Sequence, residues 1–460
     1  MIAPRPQRTC KENTQQLLVK EIIDKSSSGF SGPDRPLWED YSRCIRCGLC
    51  LNQCPTYREL GVEMDSPRGR IYQMVQVDEG RLPLSESFVR HIDLCLDCRA
   101  CETACPSGVQ YGKLVEAART QIELHYRRPL GERIVRYLAF QQLLPKPAML
   151  RVAGFLLRFF QASGLQEIIR RGGLLNDFPR LAALDQLSPQ IESPTFFSQI
   201  GKVFPSRGRR RFRVALHAGC IANLAFARLN EATVRVLQEN GCEVLVPAAQ
   251  ICCGALHVHA GLRDFARTLA RRNIQAVIDA SAGEAVDAIL TNAAGCGSTL
   301  KEYGHLLEQD SAWAEKSAVF AGKMRDVLEF LSDVGLVQEM HPLRHTVTYQ
   351  DSCHLAHGQK VRQQPRKLLN SIPGLRFAEM SMSDLCCGSA GIYNITETDL
   401  SMQLLKTKME AVNSTGAEII ATANPGCILQ LRAGAKLYGR GQRVMHVVEL
   451  LDSATARNLD

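Results

Sequence analysis

Two cysteine runs constrain this chain more than any other feature. CIRCGLCLNQCP, residues 44–55, and CLDCRACETACP, residues 95–106, each space four thiols as C-x2-C-x2-C-x3-C and end in proline. Three thiols two residues apart can wrap a tight turn around one cube of iron and sulfide while the fourth points away, and in two-cluster ferredoxins that fourth cysteine serves the other cluster. The spacing therefore predicts two [4Fe-4S] clusters with crossed ligands: Cys44, Cys47 and Cys50 with Cys105, and Cys95, Cys98 and Cys101 with Cys54. Zinc sites built from CxxC pairs would leave the third cysteine and the Cys-Pro ending of each run unexplained.

Length and charge bound the rest. A chain of 460 residues has room for about three domains. Eighteen cysteines in a long chain opening MIAPRPQRTC, without an apolar signal region, predict reduced, metal-bound thiols in the cytoplasm. The net charge, 55 basic against 47 acidic residues or +8, suits a basic surface patch and not a dedicated nucleic-acid binder. No uncharged apolar run reaches the roughly 18 residues a spanning helix needs.

In chain order, residues 1–39 read as a flexible arm through SSSGFSGPDRP, with Cys10 as a non-ligand. Residues 40–130 read as a helical two-cluster ferredoxin domain. Within it Ser66 is the expected N-cap and Pro67 the first helical residue, with Ile71, Met74 and Val75 at helical spacing. Arg68 and Arg70 either temper the charge of neighbouring clusters or are solvated helix residues. GKLVEAARTQIELHYRR reads as a closing helix. Residues 131–210 form an apolar helical segment and a linker. In AMLRVAGFLLRFFQASG, Arg151 and Arg158 share a face, with Leu150, Phe155, Leu157 and Phe159 spread over the rest. This is either an interfacial helix, held on a membrane surface or a partner, or an ordinarily packed one. Residues 172–206 read as linker, and SRGRRRFR as a solvated approach to a strand.

From residue 211 the texture becomes alternating strand and helix, and it repeats, giving α/β domains at 211–340 and 341–460. RFRVALHAGC ends at Cys220 and HTVTYQDSC at Cys353; ICCG carries Cys252 and Cys253, and LCCG carries Cys386 and Cys387. AVDAILTNAAGC then ends at Cys296 and GAEIIATANPGC at Cys427. Ligands of open α/β sheets gather at strand carboxyl ends. Each half can therefore bring a strand-end cysteine, a vicinal pair and a second strand-end cysteine to one edge. Buried core thiols alone would not require a duplicated CCG tripeptide. Cys242 has no counterpart in the second half and reads as core. His217, His257, His259, His354 and His357 lie near these motifs, each more simply read as a satisfied histidine than as a ligand.

The motifs CIRCGLCLNQCPTY, DSPRGRIY, CLDCRACETACPSGVQY, NAAGCGSTLKEYGHLL and LCCGSAGIYN together resemble the iron-sulfur subunit of glycolate oxidase, also called glycolate dehydrogenase, from about residue 40 onward. More broadly, the second half is similar to the CCG domains of heterodisulfide reductases, of anaerobic glycerol-3-phosphate dehydrogenase subunits and of lactate-utilisation proteins. The resemblance implies an α+β multidomain architecture: an all-helical two-cluster ferredoxin domain followed by two duplicated α/β cysteine-rich domains. It also implies FAD-carrying partner subunits. The residues themselves add the expectations of further iron-sulfur sites in the CCG domains, a quinone or other acceptor, and peripheral contact with the inner face of the cytoplasmic membrane. Heterodisulfide reductase repeats end in C-x2-C. Here Gly297, Ser298, Thr299 follow Cys296, and Ile428, Leu429, Gln430 follow Cys427, so one such ligand is missing from both copies. The chain has no GxGxxG fingerprint of its own, so hydride removal is expected on a flavin held elsewhere. The alternatives are a CCG subunit that itself reduces a disulfide or quinone, and the iron-sulfur subunit of a lactate or glycerol-3-phosphate dehydrogenase.

Overall fold

The computed structural model describes residues 29–173, 177–337 and 339–455. Cys10 and residues 1–28 of the predicted arm lie outside them. Ser66 has extended backbone and its hydroxyl accepts from the Gly69 N–H at 3.0 Å, while Pro67 fills the first turn; α1 (Pro67–Asp78) starts there for those reasons. Ser85 caps α2 (Glu86–Asp93) in the same way. Ile71, Met74 and Val77 of α1 meet Phe88, Val89 and Ile92 of α2 and Leu114, Val115, Ala118 and Ile122 of α3 (Tyr111–His125) in one buried core. Among the described residues this N-terminal unit is all helix and turn.

Part of the predicted arm is corrected. Phe30 is fully buried beside Phe88, contributing about 1.5–3 kcal/mol by its burial. The Gly29 N–H donates to the Asp78 carbonyl, and Asp34 pairs with Arg263 and Arg267 of the C-terminal half. One aromatic residue thus docks residues 29–39 despite the Ser, Gly and Pro around it.

The connecting region begins with α4 (Leu130–Arg136), which runs into a π-helical turn at Tyr137–Leu143, followed by α5 (Pro147–Ala162) and α6 (Leu165–Arg171). The linker read at 172–206 is also corrected: it holds α7 (Pro179–Gln186), a fully buried Phe196, and β1 (Val203–Phe204), which pairs antiparallel with β3 (Cys242–Leu245). The arginine run is paired and not simply solvated. Arg207 meets Glu239, Arg210 meets Glu284, Arg213 meets Glu243 at 2.7 Å, and Arg211 donates to the Val334 and Gly335 carbonyls.

Two sheets follow. The first adds β2 (Phe212–Leu216), β4 (Ala288–Thr291) and β5 (Met324–Asp326) in the order β1-β3-β2-β4-β5. The second comprises β6 (Thr346–Tyr349), β7 (Arg376–Phe377), β8 (Ile419–Thr422) and β9 (Arg443–His446) in the order β7-β6-β8-β9. Apart from β1 every pairing is parallel, and the two orders are the same topology repeated. The central strands β4, β6 and β8 are buried along their length, as parallel strands covered on both faces must be. A single apolar core containing Val214, Leu216, Val347 and Ile419 runs through both halves. In each sheet the strand order reverses between the two central strands, β2 and β4 or β6 and β8, and such switch points leave a crevice at the carboxyl ends.

Candidate metal centres

Cys54 lies with Cys95, Cys98 and Cys101 around one small cavity, closed by Pro55, Pro67, Arg70, Arg99 and Tyr111. The fourth cysteine of the first run thus faces the first three of the second. Two residues of each run adopt left-handed backbone at matching positions: Arg46 and Gly48 around Cys47, Asp97 and Arg99 around Cys98. Three of these carry side chains, and such backbone costs each of them about 1–2 kcal/mol. The turn it produces aims backbone N–H groups inward, and the Asp97 N–H donates to Cys95 Sγ at 3.3 Å. Burial pushes the Cys98 and Cys101 thiols well above their ordinary range, so four thiolates here require a strongly cationic guest. The all-sulfur donor set, the cavity and the inward amides fit an iron-sulfur cube.

Arg70 stands beside this cavity. It is buried, against the solvated alternative, and donates to the His91 carbonyl at 2.7 Å, Thr56 Oγ1 at 3.1 Å and Asp65 Oδ1 at 3.4 Å. Arg68 remains nearer solvent, bound to Glu63 and to the Arg46 carbonyl. The first run is the more open of the two, with Cys47 exposed and Cys44, Cys50 and Cys105 half-buried against the domain core.

In the C-terminal half, the thiols of each repeat form a chain of contacts: Cys220 to Cys252, Cys253 to Cys296, and likewise Cys353 to Cys386, Cys387 to Cys427. Cys220 and Cys353 sit in the loops after β2 and β6. Cys296 and Cys427 are not strand-end residues as expected. They occupy the first turns of α8 (Ala294–Lys301) and α9 (Pro425–Tyr438), because β4 and β8 end at Thr291 and Thr422 and a helix begins within three residues. The hydrogen bond with Cys387 and burial push the Cys427 thiol well above its ordinary range. Asn273 clamps the first vicinal pair, accepting from the Ile251 N–H and donating to the Cys252 carbonyl. The second site has a cation: the buried Lys408 ammonium donates to the Met382 and Ser383 carbonyls near Cys386 and Cys387. Cys242 is buried core in β3.

The second ferredoxin run and the second repeat share a wall. Leu94, Leu96, Cys98 and Ala100 pack with Cys386, Tyr393, Leu400 and Leu404, and Cys98 is close enough to Cys386 and Cys353 for their charges to interact.

A buried ionic network also ties the second run to both repeats. Arg99 pairs with Glu116 at 2.8 Å and with Glu302; His259 lies 2.9 Å from Asp97 and 3.6 Å from Glu116; His354 Nε2 donates to the Asp97 carbonyl at 2.9 Å. Burial pulls the His259 imidazole down, but Asp97 and Glu116 more than offset this and carry it up to about 9. Burial works to raise Glu116, yet Arg99 and His259 hold its carboxyl well below the usual range. Asp97, Glu116 and His259 could in geometry hold a metal ion, but the Arg99 guanidinium already neutralises the carboxylates and would repel one. The remaining histidines are satisfied or neutral. His257 donates to the Phe140 carbonyl, His357 to that of Asp384, and burial carries His217 down to about 4. The network was missed from sequence, although two charged residues interleaved with buried cysteines in CLDCRAC were a signal for it.

Thiol-lined cages in a helical dicluster unit, joined to tandem cysteine-rich α/β units, define an iron-sulfur electron-transfer protein. Comparison with known families agrees: residues 40–109 match the 4Fe-4S dicluster domain, residues 214–301 and 347–432 the cysteine-rich domain, and residues 131–188 the linker region of the glycolate oxidase iron-sulfur subunit. The chain is 43% identical over 416 residues to the probable glycolate oxidase iron-sulfur subunit of Bacillus subtilis, covering 89% of this chain and 92% of that one. It is 34% identical over 417 residues to the glycolate oxidase iron-sulfur subunit of Escherichia coli, covering 89% and 93%. Lactate utilization protein A of Bacillus subtilis matches at 31% over 242 residues, 52% of this chain and 99% of that protein. The chain belongs to the family of glycolate oxidase iron-sulfur subunits.

Proposed function

We propose that the chain accepts electrons from an FAD-carrying partner that oxidises glycolate to glyoxylate, and passes them to a quinone or another acceptor. Oxidising a 2-hydroxy acid removes two electrons and two protons, which calls for a hydride-accepting cofactor on the partner. Bound [4Fe-4S] clusters supply one-electron transfer. Cys44, Cys47, Cys50 and Cys105 would hold one cluster and Cys54, Cys95, Cys98 and Cys101 the other. Cys353, Cys386, Cys387 and Cys427 would hold a further one, with Cys220, Cys252, Cys253 and Cys296 as the fourth thiol set. The observation that carries this reading is the wall shared by Cys98 and Cys386, which supports a route from the open first run, through the buried second run, into the second repeat. Arg70, Arg99, Arg119 and Lys408 are buried cations along it; Arg70 and Arg99 are paired with carboxylates, while Arg119 and Lys408 donate to backbone carbonyls beside the thiols. Peripheral attachment to the cytoplasmic face of a membrane would hold the chain near a membrane quinone.

The test is to add glycolate anaerobically to the chain alone and with its flavoprotein partners. Cluster absorbance should bleach only in the mixture; glycolate oxidation by the isolated, flavin-free chain would overturn the division of labour. A second reading, direct reduction of a small acceptor at the second repeat, is favoured by a small surface pocket whose lining includes Cys386, Leu404 and Lys408. Under that reading Cys386→Ser abolishes acceptor reduction while the EPR signals of the ferredoxin-domain clusters persist.

A further inference from the structure

Met149, Val152, Phe155, Leu156 and Phe159 follow one another at helical spacing along one side of α5, and Phe155 and Phe159 are 68% and 67% exposed. Leu130, Ile134 and Leu138 repeat the pattern, also exposed, along α4 and the π-helical turn. An apolar ridge of this extent marks an interaction surface. The opposite side of α5 is seated on the first repeat, where Leu150 is buried and Gly154 abuts Leu224; Phe140 and Leu144 pack against Cys252. The exposed ridge and the first four-thiol site are therefore back to back.

Charge identifies the occupant. Residues 130–162 contain five basic side chains, Arg133, Arg136, Lys146, Arg151 and Arg158, against one carboxylate, Glu132. Glu132 is itself bound to Arg128 at 2.9 Å, while Arg133, Lys146, Arg151 and Arg158 are exposed beside the ridge. Large apolar side chains flanked by cations are the complement of an anionic headgroup layer over hydrocarbon. None of the described helices is long and apolar enough to cross a membrane, so attachment is in the plane of the surface. We infer that α4, the π-helical turn and α5 lie in the interface of an anionic phospholipid bilayer and hold the first four-thiol site toward it. The inference rests on the electron-transfer reading and adds to it the surface that holds the chain at the membrane, which lies at the first repeat and not at the second, where the route through Cys98 and Cys386 leads.

The test is co-sedimentation of the full, cluster-loaded chain with phosphatidylglycerol–phosphatidylcholine vesicles and with phosphatidylcholine alone. The chain binds the anionic vesicles and not the neutral ones. Phe155→Ser with Phe159→Ser lowers the bound fraction roughly tenfold, and Arg151→Glu with Arg158→Glu removes the preference for anionic lipid. Unchanged visible absorbance of the clusters reports that the variants are folded. Absence of binding by the parent chain, or equal binding by the variants, overturns the inference. So does protection of α5 from surface labelling by the flavoprotein partners but not by vesicles. Glycolate-driven bleaching in solution is followed in parallel: its failure alongside intact vesicle binding would count against the electron-transfer reading and leave the membrane surface standing.

Discussion

Cys54 is the residue on which the crossed arrangement turns, since it belongs to the first run by sequence but lines the cavity of the second. Cys54→Ser is expected to remove the second-run cluster, a loss of about four irons per chain, while the EPR signal of the first-run cluster persists; loss of the first-run signal alone would reverse the assignment. His259 makes a different prediction. Its folded value of about 9 lies above its ordinary 6.5, so its contribution to stability is fully present below about pH 6.5 and is lost as pH rises through 9. The size is about 3 kcal/mol at most. Unfolding by urea across this window should weaken with rising pH in the parent chain and stay nearly flat in His259→Gln. The sequence spacing disclosed the thiols at this scale because three ligands of each ferredoxin cube stand three positions apart along the chain. It did not disclose the network around them, because Arg99 and Glu302 are 203 residues apart and meet only after folding.

At the scale of elements, the repeat is legible as Cys220, CCG and Cys296 against Cys353, CCG and Cys427, and the same strand order in both sheets is its structural counterpart. Small differences between the copies were not legible. Gly254 and Gly388 both have left-handed backbone, which costs any other residue about 1–2 kcal/mol. A Cβ on Gly388 would in addition stand 2.5 Å from the Ser401 carbonyl oxygen, whereas on Gly254 it would make ordinary contact with Ala266. Gly388→Ala should therefore destabilise its loop by more than about 2 kcal/mol and Gly254→Ala by less. Hydrogen exchange of the two CCG loops measures the difference directly, and equal effects would refute it. Residues 172–206 were the hardest to read, because their few apolar anchors, Leu187 and Phe196, are scattered among prolines and serines without periodicity.

For the whole molecule, the chain reads as an open first run, a buried second run and two thiol sites behind it, with the membrane-facing ridge against the first of those sites. If the second repeat is loaded as proposed, its reduced cluster and that of the second run will couple magnetically across their common wall. The EPR spectrum of fully reduced protein should then be broadened, and Cys386→Ser with Cys387→Ser should sharpen the second-run signal; an unchanged spectrum would separate the two sites. Which sites are neighbours was beyond the sequence, since Cys98 and Cys386 are brought together by domain packing alone. That packing also bears on how the protein is made. Leu94, Leu96 and Tyr393 pack with Cys98 and Cys386, so iron and sulfide are expected to reach these two thiols more readily before the N-terminal domain docks than after. Loading and docking are thus expected to be linked, and a chain made without iron should be cleaved faster by added protease at the surfaces this packing hides.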